Sequence, residues 1–395
     1  MALPLEGIRI IDMSGVWATP GAARNLADQG ADVIKVETQH GDEGRRLLTQ
    51  PAINGESRAF WMHNRNKRSI VLDLKHREGL AVLHRLVAQA DVLLHNFRPG
   101  VDKRLGFDYD ACRAENPRLI YGAFSAWGER GPLAQERGYD MLIQAQAGTL
   151  GLRREPDGTP IASGVWFTDL SASMNVAYAI TLALFQRERT GVGQRISGSL
   201  MQTALALQTT DLVRVLGMQE EPPAQDMALQ SLFRPYRCQD GVFVQVVVVS
   251  QGEWELLAGA LGHEEWTTDA RFRTIDDRLR HSDALKALIA EAMATRSAAE
   301  WNAVFRERDV PAMPVISQRE VFDSEQAHAN EMFVEIDQPD VGRVQMVGLP
   351  FILSGAEGYR FRPSPALGQH TDEILAEAGY DAAAIAALRG AGAVS

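Results

Sequence analysis

Asp169 is the residue from which chemistry would start. It stands at the expected beginning of a long helix over about Asp169–Arg189, and two readings are open for it. As an N-cap, its carboxylate satisfies free N–H groups of the first turn. As a nucleophile, it uses the same positive helix end to stay ionised and to stabilise an oxyanion forming beside it. A second candidate is the loop Gly15-Val16-Trp17-Ala18-Thr19-Pro20-Gly21, between an expected strand and an expected helix. Its small residues either leave backbone N–H groups open to phosphate or form a plain tight turn. The third candidate is a set of cations. Asn64-Arg65-Asn66-Lys67-Arg68 precedes one strand, Lys75 follows it, and Arg98, Lys103 and Arg104 follow another. Converging at the C-terminal edge of a sheet, they suit a phosphate-bearing ligand; dispersed, they are solvated surface charge. The sequence has no GxGxxG fingerprint, P-loop, HExxH or HxxxH.

These residues need elements to position them. Short apolar runs at Ile8–Met13, Val33–Val36, Ser69–Leu72, Val92–Asn96 and Leu119–Phe124 read as strands. Helical stretches alternate with them. Pro20–Asp28 has Pro20 in its first turn and Gly30 past its end, and Glu78–Ala90 is apolar at Leu80, Leu83, Leu86 and Val87. Such alternation predicts βαβ units and a parallel sheet, hence an α/β fold. The middle of the 169–189 helix, AYAITLALF, is apolar all round, which predicts burial. A further helix is expected over Met201–Leu216, and Glu221-Pro222-Pro223 marks a break. Beyond it come a β-rich run at Val242–Ser250 and helices at Glu253–Leu261, Ala284–Met293 and Ala298–Arg308. The domains are therefore placed at 1–225 (large), 226–320 (small, α+β) and 321–395, a return that ends in two short helices near 371–378 and 381–389.

Composition narrows the class. Hydrophobic residues are 45% and charged residues 23% of 395, an ordinary globular balance. A net charge of −11 argues against a nucleic-acid partner. Two distant cysteines, Cys112 and Cys238, build neither a disulfide framework nor a cysteine-rich metal site. The longest uncharged apolar stretch, Val176–Phe185, falls short of the roughly 18 residues that cross a bilayer. No basic segment precedes an apolar run near the start. The expectation is a cytoplasmic protein with neither membrane nor nucleic acid as partner.

Ordered motifs then carry a resemblance. They are PLEGIRIIDMSG, GADVIKVE with GDEGR, NRNKRSIVLDLK, ADVLLHNFRPGVDKRLGFDY, NPRLIYGAFSAWGERGP, RGYDMLIQAQAG, GVWFTDLSASM, RERTGVGQRISGSL, and VGLPFILS with PALGQHTDEIL. Through them the chain, from residue 4 to about 376, resembles the class III CoA-transferase or CaiB/BaiF family, which includes formyl-CoA, carnitine and succinyl-CoA-dependent transferases and α-methylacyl-CoA racemases. The resemblance implies that Asp169 is the nucleophile of an acyl-CoA:carboxylate CoA-transferase, with succinyl-CoA among the candidate donors. It implies CoA contacts at Val16, Trp17, Ala18, Leu72, Asp73, Lys75, Asn96, Phe97, Arg98, Arg104, Arg137 and Tyr139. Coenzyme A enters as a thioester substrate, with no tightly bound cofactor and no metal. The resemblance also implies a Rossmann-like large domain made of both chain ends, a smaller domain, and an interlocked homodimer.

Three departures from the family's pattern matter. Thr38 stands where some members place an arginine. The glycine run of formyl-CoA transferases is replaced by Val249-Ser250-Gln251-Gly252-Glu253. The histidine that racemases carry in a GHD segment is Tyr139, a poor second base, so the racemase remains the alternative to the transferase. For the acyl group, Arg45, Arg46, Arg234 or Arg237 would anchor a second carboxylate, while Trp17 and Trp166 would line an apolar or cationic pocket.

Overall fold

The computed structural model describes residues 2–47, 51–217 and 231–395. The chain forms two compact units, Met1–Val213 together with Asn330–Ser395, and Arg214–Ala329. The sequence-based boundary at 225/226 and the Glu221-Pro222-Pro223 break lie outside the described residues.

Six strands form the sheet of the first unit: β1 (Arg9–Asp12), β2 (Asp32–Glu37), β3 (Lys67–Val71), β4 (Val92–His95), β5 (Ile120–Ser125) and β6 (Arg195–Ser199). Their order is β3-β2-β1-β4-β5-β6 and every pairing is parallel. Successive side chains of a strand face opposite sides, so apolar runs such as Ile10-Ile11 feed two cores. On one face Ile11, Ile34, Ile70, Leu93 and Tyr121 pack with Val82, Leu83 and Leu86 of the helix Arg77–Val87 and with Ile374 and Leu375 of the helix Thr371–Glu377. On the other, Ile10, Val33, Val92, Leu94 and Ile120 pack with Ala22, Ala23 and Leu26 of the helix Ala18–Ala27 and with Val176, Ile180 and Leu184 of the helix Phe167–Thr190. The strand order reverses between β1 and β4, and ligands of open α/β sheets bind beyond the C-terminal ends at such a point.

Three expectations are corrected here. The helix Phe167–Thr190 is not buried all round. Met174, Tyr178 and Phe185 are 56–65% exposed, while Val176, Ile180 and Leu184 face the core. The helix expected to Leu216 ends at Ala206. There Gln208 turns back to donate to the carbonyls of Ala147 and Ala204, ahead of the weak helix formers Thr209 and Thr210. Strand β6 was not expected at all.

In the second unit, β7 (Phe233–Arg237), β8 (Phe243–Val247) and β9 (Ala312–Pro314) form an antiparallel sheet. Val244, Val246, Trp254, Leu257, Ile289, Trp301 and Phe305 join it to the helices Gln251–Leu261, Ser282–Met293 and Ala298–Glu307. The segment that replaces the glycine run is a capped helix start: Ser250 Oγ accepts from the Glu253 N–H, and the Glu253 carboxylate accepts from Ser250 N–H. After the second unit the chain adds the hairpin β10 (Phe333–Gln338) and β11 (Gly342–Val347), then two helices beside β3.

Candidate active site

The loop after β1 is fixed by side chains from its neighbours. Asp12, fully buried, accepts from the Ser14 N–H at 3.0 Å and from the Ser14 hydroxyl. Lys35 on β2 donates to the Ser14 carbonyl at 2.9 Å. Asn96, just past β4, accepts from Gly15 N–H at 3.0 Å and donates to the Gly15 carbonyl at 2.8 Å. Asp42 accepts from the Val16 N–H at 3.0 Å. The N–H groups of Gly15 and Val16 are therefore engaged, so of the loop's N–H groups only those of Trp17, Ala18 and Thr19, at the start of the helix, keep no partner among the described residues. Val16 pairs a β-branched side chain with a φ of 72°, the left-handed region that such residues avoid.

Two cavities meet at this loop. The larger, about 860 Å³, runs past Thr38, Asn96, Phe97, Arg98, Arg104, Arg137 and Tyr139. The smaller, about 360 Å³, is lined by Trp17, Ala18, Phe124, Tyr139, Asp169, Asn175, Val176, Ser197, Gly198, Gln202 and Thr203. Gly15, Val16, Asn96, Ser125, Ala126, Gly138 and Tyr139 border both, so the two form one continuous groove across the C-terminal ends of β1, β4 and β5. Its halves differ in charge content: the large cavity is lined by Glu37, Asp42, Glu43 and Glu136 as well as by three arginines. Arg98, Arg104 and Arg137 border the large cavity, exposed and without a carboxylate partner among the described residues. In the walls of the small cavity the one charged side chain among the described residues is Asp169.

Asp169 is not the N-cap of its helix. Trp166 holds that position and Asp169 is the third residue of the first turn. Its N–H donates to Asp140 at 2.9 Å, and Asp140 also accepts from the Gln144 amide. Among the described residues nothing donates to the Asp169 carboxylate oxygens. Burial, and then the neighbouring Asp140, push this carboxyl up to about 7. The positive end of the helix acts the other way. An unbonded, buried carboxylate that ionises near neutral pH is a competent nucleophile. The wall opposite comes from the helix Ala18–Ala27. Ser173 donates to the carbonyl of Ala18 at 2.8 Å, and a Cβ on Gly21 would lie 2.4 Å from Ser173 Oγ, so only glycine permits this approach. Trp17 meets Trp166 edge-on at 5.4 Å beside that contact.

Most of the expected cations do not reach the groove. Lys67 is fully buried and donates to Asp12 at 2.7 Å, to the Pro20 carbonyl and to Asn64 at 2.8 Å. Arg65 is paired with Asp28, and Arg68 with Asp32, Glu373 and Glu377. Lys75 and Lys103 are exposed outside both cavity walls. Of the expected CoA contacts, nine line the groove: Val16, Trp17, Ala18, Asn96, Phe97, Arg98, Arg104, Arg137 and Tyr139. The other three do not. Leu72 is buried in the core, and Asp73 and Lys75 lie exposed at the exit of β3. Arg45 is no anchor for a second carboxylate, because Glu37 takes its guanidinium in two hydrogen bonds of 2.8 Å. Arg46 is exposed and donates to the His40 carbonyl, and Arg234 and Arg237 belong to β7 of the second unit.

Sequence reasoning missed Lys35, Asp42, Asp12 and Asp140. Lys35 and Asp42 form an ion pair of 2.8 Å. Burial is the largest single effect on both and opposes their charges, but Lys35 with the Val16 and Gly44 N–H groups together hold Asp42 below the usual carboxylate range, and Asp42, Asp12 and Glu37 together hold Lys35 above the usual amine range. Single charges near the ends of apolar strands, as in RIIDMS and DVIKVE, were the available signal, since a fully buried charge requires a partner.

Comparison with known proteins shows the family. The profile of CoA-transferase family III matches residues 5–371. An acyl-CoA transferase of Fusarium pseudograminearum is 36% identical over 97% of this chain and 86% of its own length. A succinate–glutarate CoA-transferase of Agrobacterium fabrum is 34% identical over 95% of both chains. The crystal structure of a CaiB/BaiF family protein from Brucella suis superposes with a TM-score of 0.84 at 32% identity, covering 96% of this chain and 100% of that one. The chain therefore belongs to CoA-transferase family III and is an enzyme of that class.

Proposed function

We propose that the protein transfers coenzyme A from an acyl-CoA to a carboxylic acid, with Asp169 as the covalent relay. The observation that carries this reading is Asp169, unbonded and alone in charge in the small cavity among the described residues, beside a larger cavity that Arg98, Arg104 and Arg137 border. The arginines suit the ADP phosphates of CoA, so the thioester lies near the neck and its acyl group beyond it. Asp169 attacks the thioester carbonyl, forming an aspartyl-acyl anhydride and releasing CoA thiolate. The thiolate attacks the aspartyl carbonyl, which frees the donor acid and leaves an aspartyl-CoA thioester. The acceptor carboxylate attacks that thioester and expels the thiolate. The thiolate then attacks the acceptor's acyl carbon, giving the new acyl-CoA and restoring Asp169. Each step exchanges one activated acyl group for another, so no external energy source enters.

Succinyl-CoA is the first donor to offer, since the Agrobacterium relative is a succinate–glutarate CoA-transferase. Proton-transfer chemistry, the racemase alternative, needs a second base, and no histidine lines either cavity among the described residues. The working form is a homodimer with interlocked subunits. In support of a dimer, Met174, Tyr178, Leu182 and Phe185 form an exposed apolar stripe on one helix.

The test is a pooled exchange assay read by mass spectrometry. The protein is mixed with succinyl-CoA, acetyl-CoA and a panel of carboxylic acids in D₂O, with Asp169→Asn alongside. A new acyl-CoA made by the native protein and not by the variant supports the reading and names the acceptor. Deuterium entering an α-carbon with no new acyl-CoA overturns it.

A further inference from the structure

We propose that the Lys35–Asp42 ion pair is a positioning device for acyl transfer: it holds Val16 in its left-handed conformation and so sets the neck of the groove against Asp169. The inference rests on the transferase reading and deepens it. Val16 borders both cavities, and it is followed by Trp17 and Ala18, which form the wall facing Asp169. A valine at a φ of 72° is strained and relaxes unless its surroundings over-determine it.

Those surroundings are specific. One oxygen of Asp42 accepts from the Val16 N–H at 3.0 Å and from the Gly44 N–H at 2.8 Å. The other oxygen faces Lys35 at 2.8 Å. The Lys35 ammonium also donates to the Ser14 carbonyl at 2.9 Å, so the pair grips the loop at two points two residues apart. Lys35 is fully buried on β2, and the Asp42 N–H donates to Glu37 on the same strand at 3.0 Å. The grip is thus rooted in the sheet rather than in the loop. A relaxed Val16 would turn the following residues and move the first turn of the helix Ala18–Ala27, against which Ser173 ties the Asp169 helix. The phosphate-side arginines have no bond to either member of the pair. Loss of the pair therefore falls mainly on the chemical step and leaves the arginine contacts to the CoA phosphates in place.

The experiment compares native protein with Lys35→Met/Asp42→Leu, which removes both charges together so that neither is left buried and unpaired. A third protein adds Val16→Gly to this double variant, because glycine adopts a positive φ without strain. The double variant is expected to lose about 10- to 100-fold in kcat, the scale of a misplacement near 1 Å, with KM for the acyl-CoA within about threefold. Adding Val16→Gly is expected to restore a large part of that loss. A rise in KM at unchanged kcat, or no recovery with glycine, overturns the proposal. Amide exchange over residues 13–17 gives a readout independent of turnover. It is expected to speed up about tenfold or more in the double variant, since the Val16 N–H loses its acceptor. Unchanged exchange also overturns the proposal. Native protein that transfers no CoA while exchange responds as expected would instead sink the transferase reading and leave the grip on Val16 standing.

Discussion

Replacing Asp169 by asparagine should abolish transfer and also stabilise the fold, with the second effect depending on pH. The side chain is 8% exposed, and burial with Asp140 raises its pKa from 3.8 to about 7. A carboxyl with a raised folded pKa is ionised in the unfolded chain while still neutral in the native one, so its contribution turns increasingly unfavourable as pH rises from about 4 through about 7. Above pH 7 the cost reaches about 4 kcal/mol, an upper bound because the positive end of the helix opposes it. Asparagine keeps the shape and has no charge to desolvate. Asp169→Asn is therefore expected to raise the denaturation midpoint most at pH 8, less at pH 6, and hardly at all at pH 4. The comparison is made at one protein concentration, so that any association is held constant. In the same variant transfer should fall by at least about 10³-fold, and in the native protein kcat/KM should climb through pH 7. Equal midpoints at pH 8, or a difference that does not change with pH, would refute the claim that this carboxylate is held at a cost. Undiminished transfer by the variant would refute its role as nucleophile.

Other outcomes follow from the same geometry. Arg98→Ala, Arg104→Ala and Arg137→Ala should each raise KM for an acyl-CoA by about tenfold with kcat within about threefold, and titration with free CoA should show the same weakening; unchanged affinity would remove that arginine from the phosphate site. Lys67→Met should lower unfolding free energy by about 3–5 kcal/mol in denaturant titration, since it breaks the buried pair with Asp12; a stable variant with weakened CoA binding would return Lys67 to the ligand. Tyr178→Glu with Leu182→Glu should block dimer assembly on refolding from denaturant, read by sedimentation of the refolded protein, because both side chains sit on the exposed stripe; an unperturbed dimer would place the interface elsewhere.

The parallel sheet was legible because IIDM, VIKV, VLLH and LIYGAF are buried on both faces and read as apolar runs with at most one polar residue besides Tyr121. Strand β6 was not, because RISGS has little apolar side chain to register and only β5 as a neighbour. The hairpin β10–β11 did carry a period-two signal. In FVEIDQ, Ile336 and Gln338 are buried between exposed Glu335 and Asp337, but charges at alternate positions also suit a loop. The helix Phe167–Thr190 shows the converse limit. Its composition states that both faces are apolar, and composition cannot distinguish a core from a surface that meets something else.

The site divides along a related line. Residues that line the groove as parts of a local motif, such as Val16 to Ala18 and Asn96 to Arg98, were reached through the resemblance to the family. Charges were not, because a charge is defined by its partner, and the partners lie far off in sequence: Lys67 from Asp12 by 55 residues, Arg68 from Glu377 by 309. In an acidic chain with few lysines, a run such as NRNKRS looks like a landing place for phosphate. Here its cations are consumed in closing the fold, whereas Arg98, Arg104 and Arg137, which border the groove beyond β4 and β5, have no carboxylate partner among the described residues. The dense cluster is thus a structural feature, and the cations that line the groove are the sparse ones. Burial sorts the charges into these two groups: a cation inside the sheet must already be neutralised for the strand to form, and one at its rim keeps its charge for whatever binds.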